Sequence, residues 1–351
     1  MKGRFADVSP FPSSLPSASI TPLLGGATLR WAVLAPGHIA HQWVDAVHRH
    51  TEQRVVAVAS RSLDRAQSFA RNHAIERAHG SYEQLVEDAG VDAVYIASPH
   101  SEHARLALLA IAAGKHVLIE KPIAATPDEA RQIADAARSA GVFAMEAMWS
   151  RFLPQSSIID QLLADGAFGD VRQVQADFSV QFEFDPASRL FDPALAGGAL
   201  LDLGVYPGWF IHFTLGAPRS ITALGSLAST GVDEQSVVIG DHGGGAQSVL
   251  TTSLSAQGNN LASVVGTRAR LDFTTAFMGP GGFRLTGRSD NETLEWTDTS
   301  DISWQEGLCY QAAAMAQHVA DGLTESPLHT LDDAIEVLEV LHEARTQLGA
   351  K

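Results

Sequence analysis

A chain of 351 residues is longer than one ordinary core fills and suits two domains. Apolar content of 45% beside charged content of 18% describes a globular protein rather than a disordered one. A net charge of −16 argues against sequence-independent binding of nucleic acid, which runs on phosphate neutralisation.

Residues 1–27, rich in Ser and Pro, lack the continuous apolar core of a secretory signal and read as a loose extension. No apolar run long enough to span a bilayer is expected, so no membrane partner is either. "LRWAVLA" (Leu29–Ala35) is a first strand and "HIAHQWVDAVHRH" a helix. "RVVAVAS" (Arg54–Ser60) is a second strand, followed by a helix with a Ser/Asp turn at its start. "DAVYIASP" (Asp92–Pro99) and "HVLIEKP" are the third and fourth, each followed by a helix. The helix after the fourth has Thr126 as N-cap and Pro127 at its first position. "VFAMEA" supplies a fifth strand. Strands separated by helices make a parallel sheet covered on both faces, with ligands at the carboxyl ends. Residues 28–148 therefore read as a doubly wound Rossmann domain. Lys121 then stands just past a carboxyl end, where a site floor is geometrically favoured.

The second half changes character. "VRQVQADFSVQFEF", "SITALGSLAS", "SVVIGDHGGGAQSVLTTSL", "ASVVGTRARLDF" and "FRLTGRSDNETLEW" read as strands with β-branched residues and period-two alternation. Few helices lie between them, so residues 149–351 are expected to form an α/β domain with a large, mostly antiparallel open sheet. Its outer face needs a cover, and a second copy of the chain is the economical one.

The loop after the first strand departs from the G-x-G-x-x-G pattern of dinucleotide sites. Ala35 stands at the first position, Gly37 at the second and Ala40 at the third, with His38 and Ile39 opening the helix. Taken alone, the loop is either a pyrophosphate cradle or an ordinary strand–helix turn. The second strand ends on Ser60, Arg61 and Ser62 instead of a carboxylate. A guanidinium there pairs a 2′-phosphate, which favours NADP over NAD.

With "YIASPHSEHARLALLAIAAGKHVLIEKPIA", "MEAMWSRFLP" and "GGALLDLGVYP", the sequence resembles the glucose–fructose oxidoreductase/inositol dehydrogenase (Gfo/Idh/MocA) family. The nearest branch is that of dimeric dihydrodiol dehydrogenases and NADP-dependent D-xylose 1-dehydrogenases. The resemblance runs from about Leu29 to the C-terminus. It implies a homodimer through the second-domain sheet. It also implies that Lys121 lies between nicotinamide ribose and substrate, that Tyr206 gives and takes the proton, and that Asp202 orients substrate hydroxyls. Pro99, His100 and His103 would lie beside the cofactor, with His103 in a capping or packing role. Glu120 would set the orientation of Lys121. Trp149, Arg151 and Phe152 would sit at the domain junction, Trp149 either stacking on a ligand or packing, and Arg189 would reach the substrate.

Asp202 and Tyr206 are four apart and face one way on a helix, whose start Pro207 suggests is close by. A free tyrosine titrates near ~10, so Tyr206 needs a cation such as Lys121 to lower it. The reading is an NADP-dependent oxidoreductase moving hydride to or from an aldose, polyol or cyclic vicinal diol. The other class that fits is a non-catalytic NADP-binding sensor or partner-binding protein, for which Ala35 and Pro36 speak. The single cysteine, Cys309, and the lack of metal-ligand spacing suggest a reduced, cytoplasmic setting and no metal.

Overall fold

A computed structural model describes residues 11–289 and 292–351. The first sheet contains β1 (Arg30–Leu34), β2 (Arg54–Ala59), β3 (Arg77–His79), β4 (Ala93–Ile96), β5 (His116–Ile119) and β6 (Ala144–Glu146). The helices between them are α1 (His38–His50), α2 (Leu63–Asn72), α3 (Tyr82–Val86), α4 (His103–Ala112) and α5 (Pro127–Ala140). The strands are all parallel, in the order β3-β2-β1-β4-β5-β6. The expected strands appear, and β3 with α3 is an addition. Its three residues, Arg-Ala-His, are half-buried and carry no apolar run, so periodicity has nothing to register there. The order reverses between β1 and β4, which opens a crevice at their carboxyl ends.

The second domain contains α6 (Pro154–Ala164), β7 (Val171–Ser179), α7 (Val205–Leu215), β8 (Ser220–Leu227), β9 (Asp233–Gly243) and β10 (Ala246–Ser253). β11 (Ala262–Gly266), β12 (Arg270–Phe273), β13 (Gly282–Thr286) and β14 (Thr293–Thr297) complete an eight-stranded sheet, ordered β14-β13-β12-β11-β7-β10-β9-β8. Only β7 and β10 run parallel. Several expected strands prove to be hairpins: 236–254 folds at Gly243–Gly245 into β9 and β10, and 262–273 into β11 and β12. Val174, Leu250 and Val264 bury one face of the sheet, with α7 over it. The other face leaves Leu224 64% and Ile239 47% exposed.

Helices α8 (Cys309–Ala320) and α9 (Leu331–Leu348) close the chain. α9 joins the two domains: Leu331, Ala334 and Leu338 enter the core of the first, and Val337, Leu341 and Ala344 that of the second. The extension is not loose where it is described. Phe11, Leu15 and Leu23 pack against the core, and the Ser19 and Gly25 N–H groups donate to Ser157 Oγ and Glu52. Residues 1–10 of that extension lie outside the described residues. One stretch, Pro193–Leu215, does reach the length and hydropathy of a bilayer span, contrary to the expectation from sequence. It is buried in the fold and broken into three helical pieces.

Candidate active site

The loop after β1 explains the departure from the glycine pattern. Ala35 adopts φ +60°, the left-handed conformation that glycine takes without strain. Its N–H is fixed to the Ala59 carbonyl at 3.1 Å. A Cβ on Gly37 would stand 3.4 Å from the Ala97 carbonyl, so the loop leaves little room for one. Helix α1 begins without a side-chain cap and without an acidic residue in its first turn. Its first N–H groups and positive dipole end therefore suit an anionic pyrophosphate. At the end of β2, Ser60 is buried, Ser62 caps α2 through the Arg65 N–H, and Arg61 is exposed beside the Tyr82 hydroxyl. These residues fit a dinucleotide with a 2′-phosphate.

From that loop a cleft of about 1390 Å³, open mouth included, runs between the domains. His38 and Ile39 form its α1 wall, and Pro99, His100 and His103 the wall beyond β4. Glu120 and Lys121 stand at the end of β5, Lys121–Pro122 being a cis bond. The second domain contributes Trp149, Arg189, Asp202 and Tyr206. Ala35, Ala40 and the Ser60–Ser62 group do not line this cleft.

Asp202 lies in a π-turn, Leu200–Gly204, that runs directly into α7, which carries Tyr206. The helix thus begins earlier than Pro207 suggested. The glycines before it are required by the fold. A Cβ on Gly198 (φ +120°) would lie 2.3 Å from Asp233 Oδ1, and Asp233 Oδ2 accepts the Leu200 N–H at 2.6 Å. The fully buried Asp233 carboxylate caps this helix, a role that nothing local in the sequence announces.

Around the buried Asp202 carboxylate, Arg189 donates to Oδ1 at 2.7 Å, with His100 Nε2 at 3.7 Å and Lys121 Nζ at 3.9 Å. Burial opposes its charge, but the Lys121 ammonium and the Arg189 guanidinium outweigh that and hold the carboxyl well below the usual range. His100 is held neutral by burial, its pKa down at about 3. Its Nδ1 faces the Ala196 carbonyl at 3.0 Å, which leaves Nε2 as an acceptor.

The Lys121 ammonium donates to the Asp202 backbone carbonyl at 2.8 Å and stands 4.9 Å from the centre of the Tyr206 ring. Two expectations are corrected here. Glu120 holds the Lys121 backbone N–H and the Tyr95 hydroxyl, not the ammonium. The Tyr206 phenol is pushed well above its ordinary value, first by burial and then by Glu120, because Lys121 meets the ring and not the oxygen. His103 is structural: its nitrogens lie 2.8 and 2.9 Å from the Pro122 and Ser98 carbonyls, tying the Lys-Pro turn to the end of β4.

Arg151 and Phe152 are not in the cleft. Arg151 Nε donates to the Leu328 carbonyl, another guanidinium nitrogen pairs with Asp160, and both residues line a separate hollow between α6 and α8. Trp149–Phe152 is a 3-10 turn, and residues two apart on it point to different sides. The sequence reading missed Phe178, edge-on to Tyr206 at 5.3 Å, and Trp304 and Gln305, which reach the cleft from a segment anchored to α1 by Glu306. A lone Trp within the polar run "DTSDISWQEG" was the available signal. Among the described residues no group of three His, Cys, Asp or Glu side chains is placed to hold a metal ion.

The family model for the NAD-binding Rossmann domain of the GFO/IDH/MocA oxidoreductases matches residues 29–148, and that for a GFO/IDH/MocA C-terminal domain matches 158–272. The chain is 37% identical over 327 residues to trans-1,2-dihydrobenzene-1,2-diol dehydrogenase of Sus scrofa, covering 92% of this chain and 97% of that one. The Homo sapiens protein of that name is 34% identical over the same shares. Among solved structures, a 3-ketoreductase from Actinomadura kijaniata in complex with NADP and TDP-benzene is similar, with a TM-score of 0.78 and 25% identity over 91% of this chain and 98% of that one. Levoglucosan dehydrogenase in complex with NADH and levoglucosan shares the fold, with a TM-score of 0.83 and 19% identity over 92% and 97%.

Proposed function

The chain belongs to the GFO/IDH/MocA oxidoreductase family, and we propose that it is an NADP-dependent dehydrogenase acting on a hydroxyl-bearing carbon of a cyclic vicinal diol or an aldose. The observation that carries this reading is the meeting, across two domains, of Lys121 with Asp202 and Tyr206 in one cleft at the end of the phosphate loop. The relatives that cover nearly the whole chain are diol dehydrogenases, and that supports the substrate class.

Bound nicotinamide supplies the hydride acceptor, or the donor in the reverse direction. Tyr206 takes the proton of the reacting alcohol during oxidation as the phenolate, becoming the phenol, and the phenol returns that proton during reduction. Lys121 places a positive charge where the alkoxide develops. Asp202, ionised throughout the working range, accepts a hydrogen bond from the neighbouring hydroxyl, and Arg189 holds that carboxylate in place. Phe178 and Trp149 give the cleft an apolar wall that suits a ring.

NADP is favoured by Arg61 and by the lack of a carboxylate at the end of β2. A homodimer through the open sheet face is supported by exposed Leu224 and Ile239, and a reduced, cytoplasmic setting by the buried free thiol of Cys309. The test follows nicotinamide fluorescence with NADP and NAD against trans-dihydrodiols, D-xylose and D-glucose. Reduction of NADP by at least one class is expected, whereas tight cofactor binding with no turnover on any would favour the non-catalytic alternative.

A further inference from the structure

We propose that Glu146 is a positioning residue for Lys121: from outside the cleft it fixes the peptide that follows the lysine turn, and His329, at the head of α9, fixes Glu146. This rests on the reading of Lys121 as the cation at the reacting oxygen.

Glu146 is the last residue of β6, paired with Ile119 of β5, and is 3% exposed. It does not line the cleft and so acts through other residues. Its Oε1 accepts the Ile123 N–H at 2.8 Å. Proline offers no donor at 122, so this is the first backbone N–H after that of Lys121. The carbonyl of the same peptide unit, that of Pro122, lies 2.8 Å from His103 Nδ1. One peptide plane is therefore gripped at both ends, by a helix residue beyond β4 and a strand residue of β6. Little freedom is left between that plane and the Lys121 Cα: the proline ring fixes φ, the peptide before it is planar, and the grip sets ψ. On the other side Glu120 holds the Lys121 N–H at 3.2 Å. The lysine is set between two fixed points.

The second oxygen of Glu146 lies 2.8 Å from His329 Nε2, and both side chains are buried. A buried polar group without a partner is costly, so each holds the other in place. His329 directly precedes Thr330, the N-cap of α9, and α9 enters the cores of both domains. Lys121 has to reach across to the Asp202 carbonyl of the second domain. The path His329–Glu146–Ile123 ties the turn that carries it to the helix on which the domains dock.

Glu146→Gln keeps an oxygen for the Ile123 N–H and an amide for His329, whereas Glu146→Met has similar length and offers neither. Glu146→Met should lower turnover about tenfold to a hundredfold, as for a catalytic group displaced by about an ångström. The Michaelis constant for NADP should stay nearly unchanged, and Glu146→Gln should stay close to wild type. A second readout needs no turnover. Competitive acetylation of the folded protein, read by peptide mass spectrometry, compares each lysine with exposed Lys351. Lys121, held on the Asp202 carbonyl, and Lys115, held on those of Asp88 and Val91, should both label slowly in the wild type. In Glu146→Met, Lys121 should label several-fold faster and Lys115 as before, while Glu146→Gln keeps Lys121 slow. A general loosening of the domain would speed both lysines, and that result, or an unchanged Lys121, overturns the proposal. So does a Glu146→Gln protein as impaired as Glu146→Met. If Glu146→Met does not fold, His329→Leu, which keeps the Ile123 acceptor but frees its carboxyl, decides by the same labelling. Faster Lys121 with unchanged Lys115 then supports the role of Glu146, and any other pattern overturns it. If the wild type oxidises none of the diols or sugars, the functional reading fails, and the labelling still decides this one.

Discussion

The indole Nε1–H of Trp149 donates to the Tyr206 hydroxyl at 2.8 Å, and both side chains are buried. With one lone pair of the phenol so occupied, its proton is directed elsewhere, and the side on which substrate can lie is the cleft. Trp149 is therefore neither simply a stacking platform nor simply packing. It sets the direction of the Tyr206 hydroxyl. Tyr206→Phe should fold and bind NADP and lose about 10²–10⁴ in turnover, the usual worth of general acid–base help. Trp149→Phe keeps an aromatic ring and removes the donor, and a loss of roughly fivefold to tenfold is expected from one neutral hydrogen bond. Steady-state rates at saturating NADP check both, and a Tyr206→Phe enzyme as fast as wild type would reduce Tyr206 to packing.

The raised phenol has a directional effect on pH dependence. Burial and Glu120 keep Tyr206 protonated well beyond pH 10 in the ligand-free protein. Reduction uses the protonated phenol, so its rate should be flat between pH 6 and 9. Oxidation needs the phenolate as proton acceptor, and the phenolate fraction grows tenfold per pH unit below the phenol's pKa. The oxidative rate should climb through this range without a plateau. His100, held at about 3, and the depressed Asp202 titrate below the window and add no inflection. Parallel profiles in the two directions, or an oxidative plateau near pH 7, would contradict this.

Arg61 is exposed at the end of β2, beside the Tyr82 hydroxyl. Arg61→Ala should raise the Michaelis constant for NADP by on the order of tenfold to a hundredfold, as for one charge-assisted pair, and leave that for NAD nearly unchanged. Equal losses for both cofactors would remove the 2′-phosphate assignment.

Ala35 pays a conformational cost at φ +60°. Relief of about 1–2 kcal/mol on substitution by glycine is offset in part by about 0.5–1 kcal/mol of extra unfolded-state entropy. Ala35→Gly should therefore stabilise by about 0.5–1 kcal/mol, while Ala35→Val should destabilise, since a β-branched residue fits that conformation worse. Urea midpoints separate the two, and a lower midpoint for Ala35→Gly would mean that the loop is not strained.

Leu224 and Ile239 stand on neighbouring strands of the open sheet face, with Leu224 opposite Val237 and Ile239 opposite Thr222. Leu224→Glu should convert a dimer of the 37.3 kDa chain to monomer by light scattering at micromolar concentration. A wild-type monomer under those conditions would place the interface elsewhere or nowhere.

What the amino-acid sequence determined by itself was whatever depends on neighbours in the chain. The alternation of buried strands with amphipathic helices requires a parallel sheet, and "HVLIEKP" places Lys121 at a carboxyl end, because strand and helix periods are local properties. The family motifs carried Asp202 and Tyr206 to the same place. Tertiary structure alone decided which way the side chains around them face. Trp149 and Arg151 are two residues apart, yet one meets Tyr206 and the other turns to Asp160 and Leu328. Asp233 caps a helix that begins 33 residues earlier in the chain. Lys121 reaches a carbonyl 81 residues away, and so touches the face of Tyr206 and not its oxygen, which turned the expected fall in the phenol's pKa into a rise. Such contacts depend on how two sheets dock through α9 and on the burial that docking creates, and no local period in the chain encodes either.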